Sequence, residues 1–217
     1  MIINYNDGCH EYFVASEKTR VRIPSITQVM KETGIIRPST FEIPEMYAHR
    51  GTEVHAMSEL MDEGLFVEGM CSAEALPFLY QYEQFLLDHD VEYLESEKIV
   101  FNEHLLIAGR YDRLWKIDGD LHLTDEKTTS AKLREHVVQV VFYASGIPEK
   151  VKLSNLYLHE DSYKLHVWPE AERLEANAVL EAMSRCYWFA HPRDLKAVRQ
   201  ISEVSKNTIA KDDFFFS

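Results

Sequence analysis

Gly109-Arg110-Tyr111-Asp112, followed by Leu123-Thr124-Asp125-Glu126-Lys127, is the stretch that decides the fold. Residues 105–117 and 121–128 are rich in strand formers, and Asp118-Gly119 between them is a strong two-residue hairpin signal. If those two residues are the loop, Ile117 pairs with Asp120, and counting outward sets Asp112 opposite Asp125. Directly opposed residues share a face of the sheet, with Cβ atoms roughly 4.5–5.5 Å apart. Side chains alternate along a strand, so Lys127 joins Asp125 on that face and Glu126 points away. Two adjacent carboxylates repel unless a proton or a cation sits between them. A hard divalent ion such as Mg²⁺ suits oxygen ligands of this kind.

The totals fit that reading. The chain has 217 residues, 46 % of them hydrophobic, enough for one large domain with an ordinary core. No run of eighteen apolar residues exists, so no membrane span is expected. The first residues lack a basic segment followed by an apolar one, so secretion is not expected either. Three scattered cysteines, Cys9, Cys71 and Cys186, fit a reducing compartment and cannot make a four-cysteine iron–sulfur site. The net charge of −13 argues against a broad, non-specific grip on nucleic acid, whose phosphates are held by Lys and Arg. A local basic groove stays open, with Lys18, Arg20, Arg22, Arg110, Arg113, Lys127, Lys132 and Arg134 as contributors.

Outward from the hairpin, the pattern gives a single domain over residues 1–217 with three parts. A helical part covers about 24–90, a core about 91–168 and C-terminal helices about 170–205. Residues 12–15 and 20–23 read as a short hairpin. Ser25 caps a helix that stops near Gly34, and Pro38 lies in a loop. Helices are expected over 45–63, ending at Gly64, and over 72–88; a strand covers 91–101. Residues 132–145 form a helix, 151–159 and 163–168 a second hairpin, and 170–190 a long helix. That order gives an α/β (α+β) class with one mixed β-sheet flanked by helices.

Other residues join the pair of carboxylates. Arg50-Gly51-Thr52-Glu53-Val54-His55 lies inside a helix, where glycine costs up to about 1 kcal/mol relative to alanine. Close approach of another backbone or a ligand explains it. His55 shares a face with Gly51 and Glu59, and a neutral imidazole offers a nitrogen ligand. Gln139 and Tyr143, spaced i and i+4, share a face of the helix after Lys127. Glu97 is a reserve carboxylate on the preceding strand. For each of these the alternative is an ordinary surface or structural role.

Together these pieces resemble the PD-(D/E)XK nuclease superfamily, in particular its RecB-like exonuclease branch and related phage proteins. The matching motifs are Arg50-Gly51-Thr52-x-x-His55, Gly109-x-x-Asp112, Asp125-x-Lys127 and Gln139-x-x-x-Tyr143. The opening Ile23-Pro24-Ser25-Ile26-Thr27-Gln28-Val29 also resembles the start of such chains. The resemblance implies a restriction-endonuclease-like core and a metal-dependent DNA nuclease of phage or prophage type. Asp112 and Asp125 would bind one or two Mg²⁺ or Mn²⁺ ions, with the Glu126 main-chain carbonyl and His55 as further ligands. Lys127 would orient the attacking water and stabilise the charged phosphate. Gln139, Tyr143 and Arg50 would support the site or touch DNA. It also implies a cytoplasmic protein of a bacterial or phage-infected cell.

The chain departs from the branch in two ways. It lacks the iron–sulfur cysteine cluster and carries no helicase motor. Its acidic balance leaves two readings open: a basic channel in a ring-like homo-oligomer, or a single-strand-binding or annealing protein that delivers DNA. The tail Asp212-Asp213-Phe214-Phe215-Phe216-Ser217 suits docking to a basic, apolar pocket or is simply a packed terminus. A nuclease-fold protein that only binds DNA or a protein partner is the alternative function.

Overall fold

The Asp118-Gly119 turn sets the register of the central hairpin. Asp118 (φ 52°) and Gly119 (φ 85°) both take the left-handed conformation that a type I′ turn demands. In this computed structural model, which describes residues 3–6, 11–15, 20–37, 45–129 and 132–201, the turn joins β5 (Ile107–Ile117) to β6 (Asp120–Lys127). We number the strands from β1 (Ile3–Asn6), β2 (Glu11–Ala15) and β3 (Arg20–Ile23) at the N-terminus. Ile117 pairs with Asp120, and the ladder runs to Arg113 opposite Thr124. It stops there, one pair short of Asp112 and Asp125. Pro38, Lys18, Cys9 and the acidic–aromatic tail lie outside the described residues.

β4 (Val91–Asn102), β5, β6, β7 (Lys152–Leu158) and β8 (Tyr163–Val167) form one sheet in that order. All neighbours are antiparallel except β6 and β7, which run parallel and place Asn155 opposite Asp125. The fold class is therefore α/β with a mixed sheet, as the pattern predicts. Parallel neighbours need a crossover, and α4 (Arg134–Ala144) supplies it. β1, β2 and β3 make a separate antiparallel sheet, of which β1 escapes the sequence pattern.

The helices cover both faces of the large sheet. Alternation sends Leu114 and Leu123 to one side, where they pack with α1 (Ile26–Glu32), α4 and α5 (Glu170–Ala190). Trp115 and Ile117 go to the other side, against Val54 of α2 (Glu45–Asp62) and Phe78, Leu79, Tyr82 and Phe85 of α3 (Leu76–Asp88). The Ser25 hydroxyl caps α1 by accepting from the Gln28 amide at 3.0 Å. α3 starts four residues later than expected, with Pro77 in its first turn, where a missing N–H costs nothing. Residues 192–201 add a final helix.

Gly109 sits where α4 and α1 come nearest to β5. A Cβ there would lie 2.8 Å from the Phe142 ring, 2.9 Å from the Tyr143 ring and 3.2 Å from Ile26. The glycine thus lets Tyr143 lie over the strand that carries Asp112. His122 on β6 is buried, with its Nδ1 3.2 Å from the Ser154 hydroxyl. Burial, helped by Lys152, pushes its imidazole down to about 4.

Two outcomes follow. Gly109→Ala is expected to lower stability by about 1–3 kcal/mol in urea unfolding, because packed rings must give way. An unchanged midpoint would contradict the close approach. For His122 the folded pKa lies below the unfolded value, so its contribution is complete above about pH 6.5. It is lost as pH falls from there toward 4, by up to about 3 kcal/mol. His122→Gln should remove that part of the acid limb, and an identical pH profile would refute it.

Candidate metal and phosphate site

Three elements bring the sequence-predicted residues together. α2 crosses the end of the hairpin and turns one face toward it, carrying Gly51, His55, Ser58, Glu59 and Asp62. Gly51 is there because α2 runs close to the end of β6: a Cβ would stand 3.3 Å from the Thr128 hydroxyl. His55 Nδ1 lies 3.4 Å from Asp112 Oδ2. Asp112 Oδ2 also accepts the Glu126 amide at 2.7 Å. That bond takes over where the regular ladder stops, and it ties the two carboxylate-bearing strands to each other.

Asp125 is 3 % exposed. Its Oδ2 accepts from Lys127 Nζ at 2.5 Å and from Asn155 Nδ2 at 2.7 Å. Asn155 is in turn fixed by Trp168, whose Nε1 donates to its Oδ1 at 2.7 Å. Glu126 turns to the opposite side, as alternation requires, and is 2 % exposed there. Its Oε2 accepts from Ser58 Oγ at 2.9 Å, while its Oε1 is buried without a partner among the described residues.

A cleft of about 870 Å³ opens onto this cluster. His55, Glu59, Glu97, Asp112 and Tyr143 line it, together with Gly109, Arg110 and residues of α1 and the small sheet. Asp125 and Lys127 are not part of its wall; they reach it through Asp112 and each other. Glu97 takes a left-handed conformation (φ 51°) inside β4, at the gap in the ladder that faces Asp112. It pairs with Arg110 at 2.5 Å. Glu59, held by Ser96 Oγ at 2.7 Å, is a further carboxylate of the cleft.

Three of the sequence-predicted residues lie outside the cleft wall. Arg50 does not reach this cleft: its Nη2 donates to the Thr128 carbonyl at 3.3 Å, and its guanidinium stacks on Phe78 and Tyr47. It lines a second groove on the other side of α2. Gln139 is also outside the wall, but its amide donates at 3.4 Å to Oγ1 of Thr27, a cleft-lining residue of α1, which fits a supporting role. Arg113 is no groove cation, being 1 % exposed and paired with Asp62 at 2.5 Å. Asn155, Ser58, Glu59 and Asp62 are site neighbours that the motifs do not name. A polar residue inside the apolar run of β7, and polar residues one and two turns beyond His55, were the signals.

Charge dominates the chemistry. Asp62, Asp112, Asp125 and Glu126 are largely buried, and the buried cations beside them are Arg113 and Lys127. Burial, reinforced by Asp112, pushes the Asp125 carboxyl above its ordinary value, although Lys127 opposes this. Burial works against the charge on His55 and Lys127, but the surrounding carboxylates outweigh it and raise both above their ordinary values. Burial, then Asp125 and Asp112, holds the Tyr143 phenol well above its usual range. Such a cluster leaves buried carboxylates close to one another. Two carboxylates and an imidazole are donors that Mg²⁺ or Mn²⁺ accepts. Among the described residues, no three or more His, Cys, Asp or Glu side chains are grouped so as to hold a metal ion. Among them, too, no helix is long and apolar enough to cross a membrane.

The Lys127–Asp125 pair can be tested by stability. Lys127→Met leaves the Asp125 carboxylate with Asn155 alone and should cost about 3–5 kcal/mol in the metal-free protein. Adding Asp125→Asn should recover at least half of that loss. Denaturant curves showing no recovery would mean that the pair is not the source of the effect.

No family model and no curated protein sequence matches the chain. Among solved structures, it is similar to a protein from Eubacterium rectale named "Putative exonuclease", at 12 % identity and a TM-score of 0.41. The similarity covers 80 % of this chain and 74 % of that one.

Proposed function

We propose that this chain is a Mg²⁺- or Mn²⁺-dependent deoxyribonuclease, an exonuclease of phage or prophage recombination or replication, related to the RecB-like PD-(D/E)XK enzymes. One observation carries the reading: His55 of α2 and Asp112 of β5 lie 3.4 Å apart in the wall of one cleft, and the buried Asp125–Lys127 pair of β6 sits behind them. The donors fit the metal in kind, and the excess of buried carboxylate over buried cation gives it a reason to bind. His55, Asp112 and Asp125 would hold one or two ions, with the Glu126 carbonyl as a further oxygen. Bound there, the metal would make a coordinated water nucleophilic and clamp the phosphate.

The chain's own groups do the rest. Lys127, steered by Asp125, supplies an ammonium where charge gathers on the phosphate oxygens. Asn155 and Trp168 keep the Asp125 carboxylate from swinging away. Tyr143, seated over Gly109, shapes the wall against which a nucleotide rests. The net charge of −13 favours a second reading, a nuclease-fold protein that binds DNA or a protein partner without cutting. A partner that delivers DNA, or a homo-oligomer, would reconcile that charge with the first.

Digestion of linear DNA with Mg²⁺ or Mn²⁺, on free-ended and end-blocked substrates, tests the reading. The wild type should degrade free-ended DNA, and Asp125→Ala and Lys127→Ala should each lose at least a hundredfold in rate. Equal inertness of all three on single-stranded, duplex and flapped DNA would sink it. The binding-only reading predicts DNA affinity that a chelator leaves unchanged and no heat of divalent-ion binding at millimolar concentration.

A further inference from the structure

Arg113 follows Asp112 directly in sequence yet points to the opposite side of the sheet, into the interface with α2. We infer that Arg113, Asp62 and Ser58 form a buried clamp that positions the metal ligands of three separate elements; the inference rests on the proposed metal site. These are positioning residues, none of which lines the cleft.

The geometry is a hub. A buried guanidinium has five N–H groups to satisfy and cannot lose its charge. Arg113 Nε donates to Asp62 Oδ2 at 2.5 Å, Nη2 to Ser58 Oγ at 3.0 Å and Nη1 to the Asp112 carbonyl at 3.0 Å. Two of those acceptors belong to α2 and the third to β5, so the guanidinium fixes how α2 sits on the strand. Tyr82 of α3 locks the far side by donating to Asp62 Oδ1 at 2.5 Å.

Ser58 passes the constraint on. Its oxygen accepts from Arg113, and its single proton is shared between the His55 carbonyl at 3.0 Å and Glu126 Oε2 at 2.9 Å. His55 stands one helical turn before Ser58, so the hydroxyl fixes the turn that aims the imidazole at Asp112. Glu126 lies between Asp125 and Lys127, and its amide holds Asp112. The Ser58 hydroxyl therefore contacts the backbone of one ligand, His55, and the side chain of Glu126, which follows a second ligand, Asp125, in sequence.

The test is Ser58→Ala, with Ser58→Cys beside it to keep the volume with a poor donor. Ser184→Ala serves as control: it removes another buried hydroxyl, on α5, bonded to the Leu105 carbonyl. Two quantities are read: Mn²⁺ affinity by calorimetry, and hydrogen exchange of the Glu126 amide in metal-free protein. Both Ser58 variants are expected to bind Mn²⁺ about 10–100-fold more weakly and to exchange the Glu126 amide at least tenfold faster. Ser184→Ala should change neither. Wild-type values of both quantities in the Ser58 variants would overturn the clamp. If the wild type itself takes up no Mn²⁺, the metal reading fails, and the exchange measurement alone decides the clamp.

Discussion

Buried like charge is the constraint around which the structure is arranged. Asp112 and Asp125 are held on adjacent strands that the Asp118-Gly119 turn joins, Asp125 buried and Asp112 at the edge of the cleft. Asp125 is gripped by Asn155 and Lys127, and Asp112 by the Glu126 amide. Desolvating a carboxylate costs several kcal/mol unless it is paired. The fold meets part of that cost with Lys127 and, on the far side of the sheet, with Arg113. The Asp112 carboxylate also faces the cleft, where an outside cation could reach it.

The scaffold explains why this charge can be tolerated at all. The two apolar clusters on the sheet faces hold β5 and β6 rigidly between α4 and α5 on one side and α2 and α3 on the other. Gly109 allows α4 to approach until Tyr143 covers the strand beside Asp112, which narrows the site. Glu97 takes a left-handed conformation at the gap in the β4–β5 ladder opposite Asp112, and both residues line the cleft there. Stability taken from the apolar layers is thus spent on a strained, charged strand end, a pattern common at functional sites.

Much of this was legible in the residues. Turn chemistry placed the hairpin, because Asp-Gly admits few alternatives, and the register then put Asp112 across from Asp125. Capping by Ser25 and the stops at Gly34 and Gly64 bounded α1 and α2 for the same local reason. Long-range features were not legible. Arg113 reads as a surface charge, because nothing local says that a helix fifty residues earlier will bury Asp62 against it. Arg50 belongs to the same motif as His55, yet it sits five residues earlier on α2 and so opens onto another groove. Asn155 became meaningful only when the parallel pairing of β6 and β7 set it beside Asp125. Periodicity reports which face a residue takes, not which element will cover that face.

The negative charge of Asp112 and Asp125, with the His55 imidazole beside it, is proposed as a cation site. Anomalous diffraction from crystals equilibrated with millimolar Mn²⁺ tests it most directly. The account predicts a peak bounded by those three side chains, absent in Asp112→Asn. Full Mn²⁺ exposure with no peak there, or a peak elsewhere that survives Asp112→Asn, would contradict it.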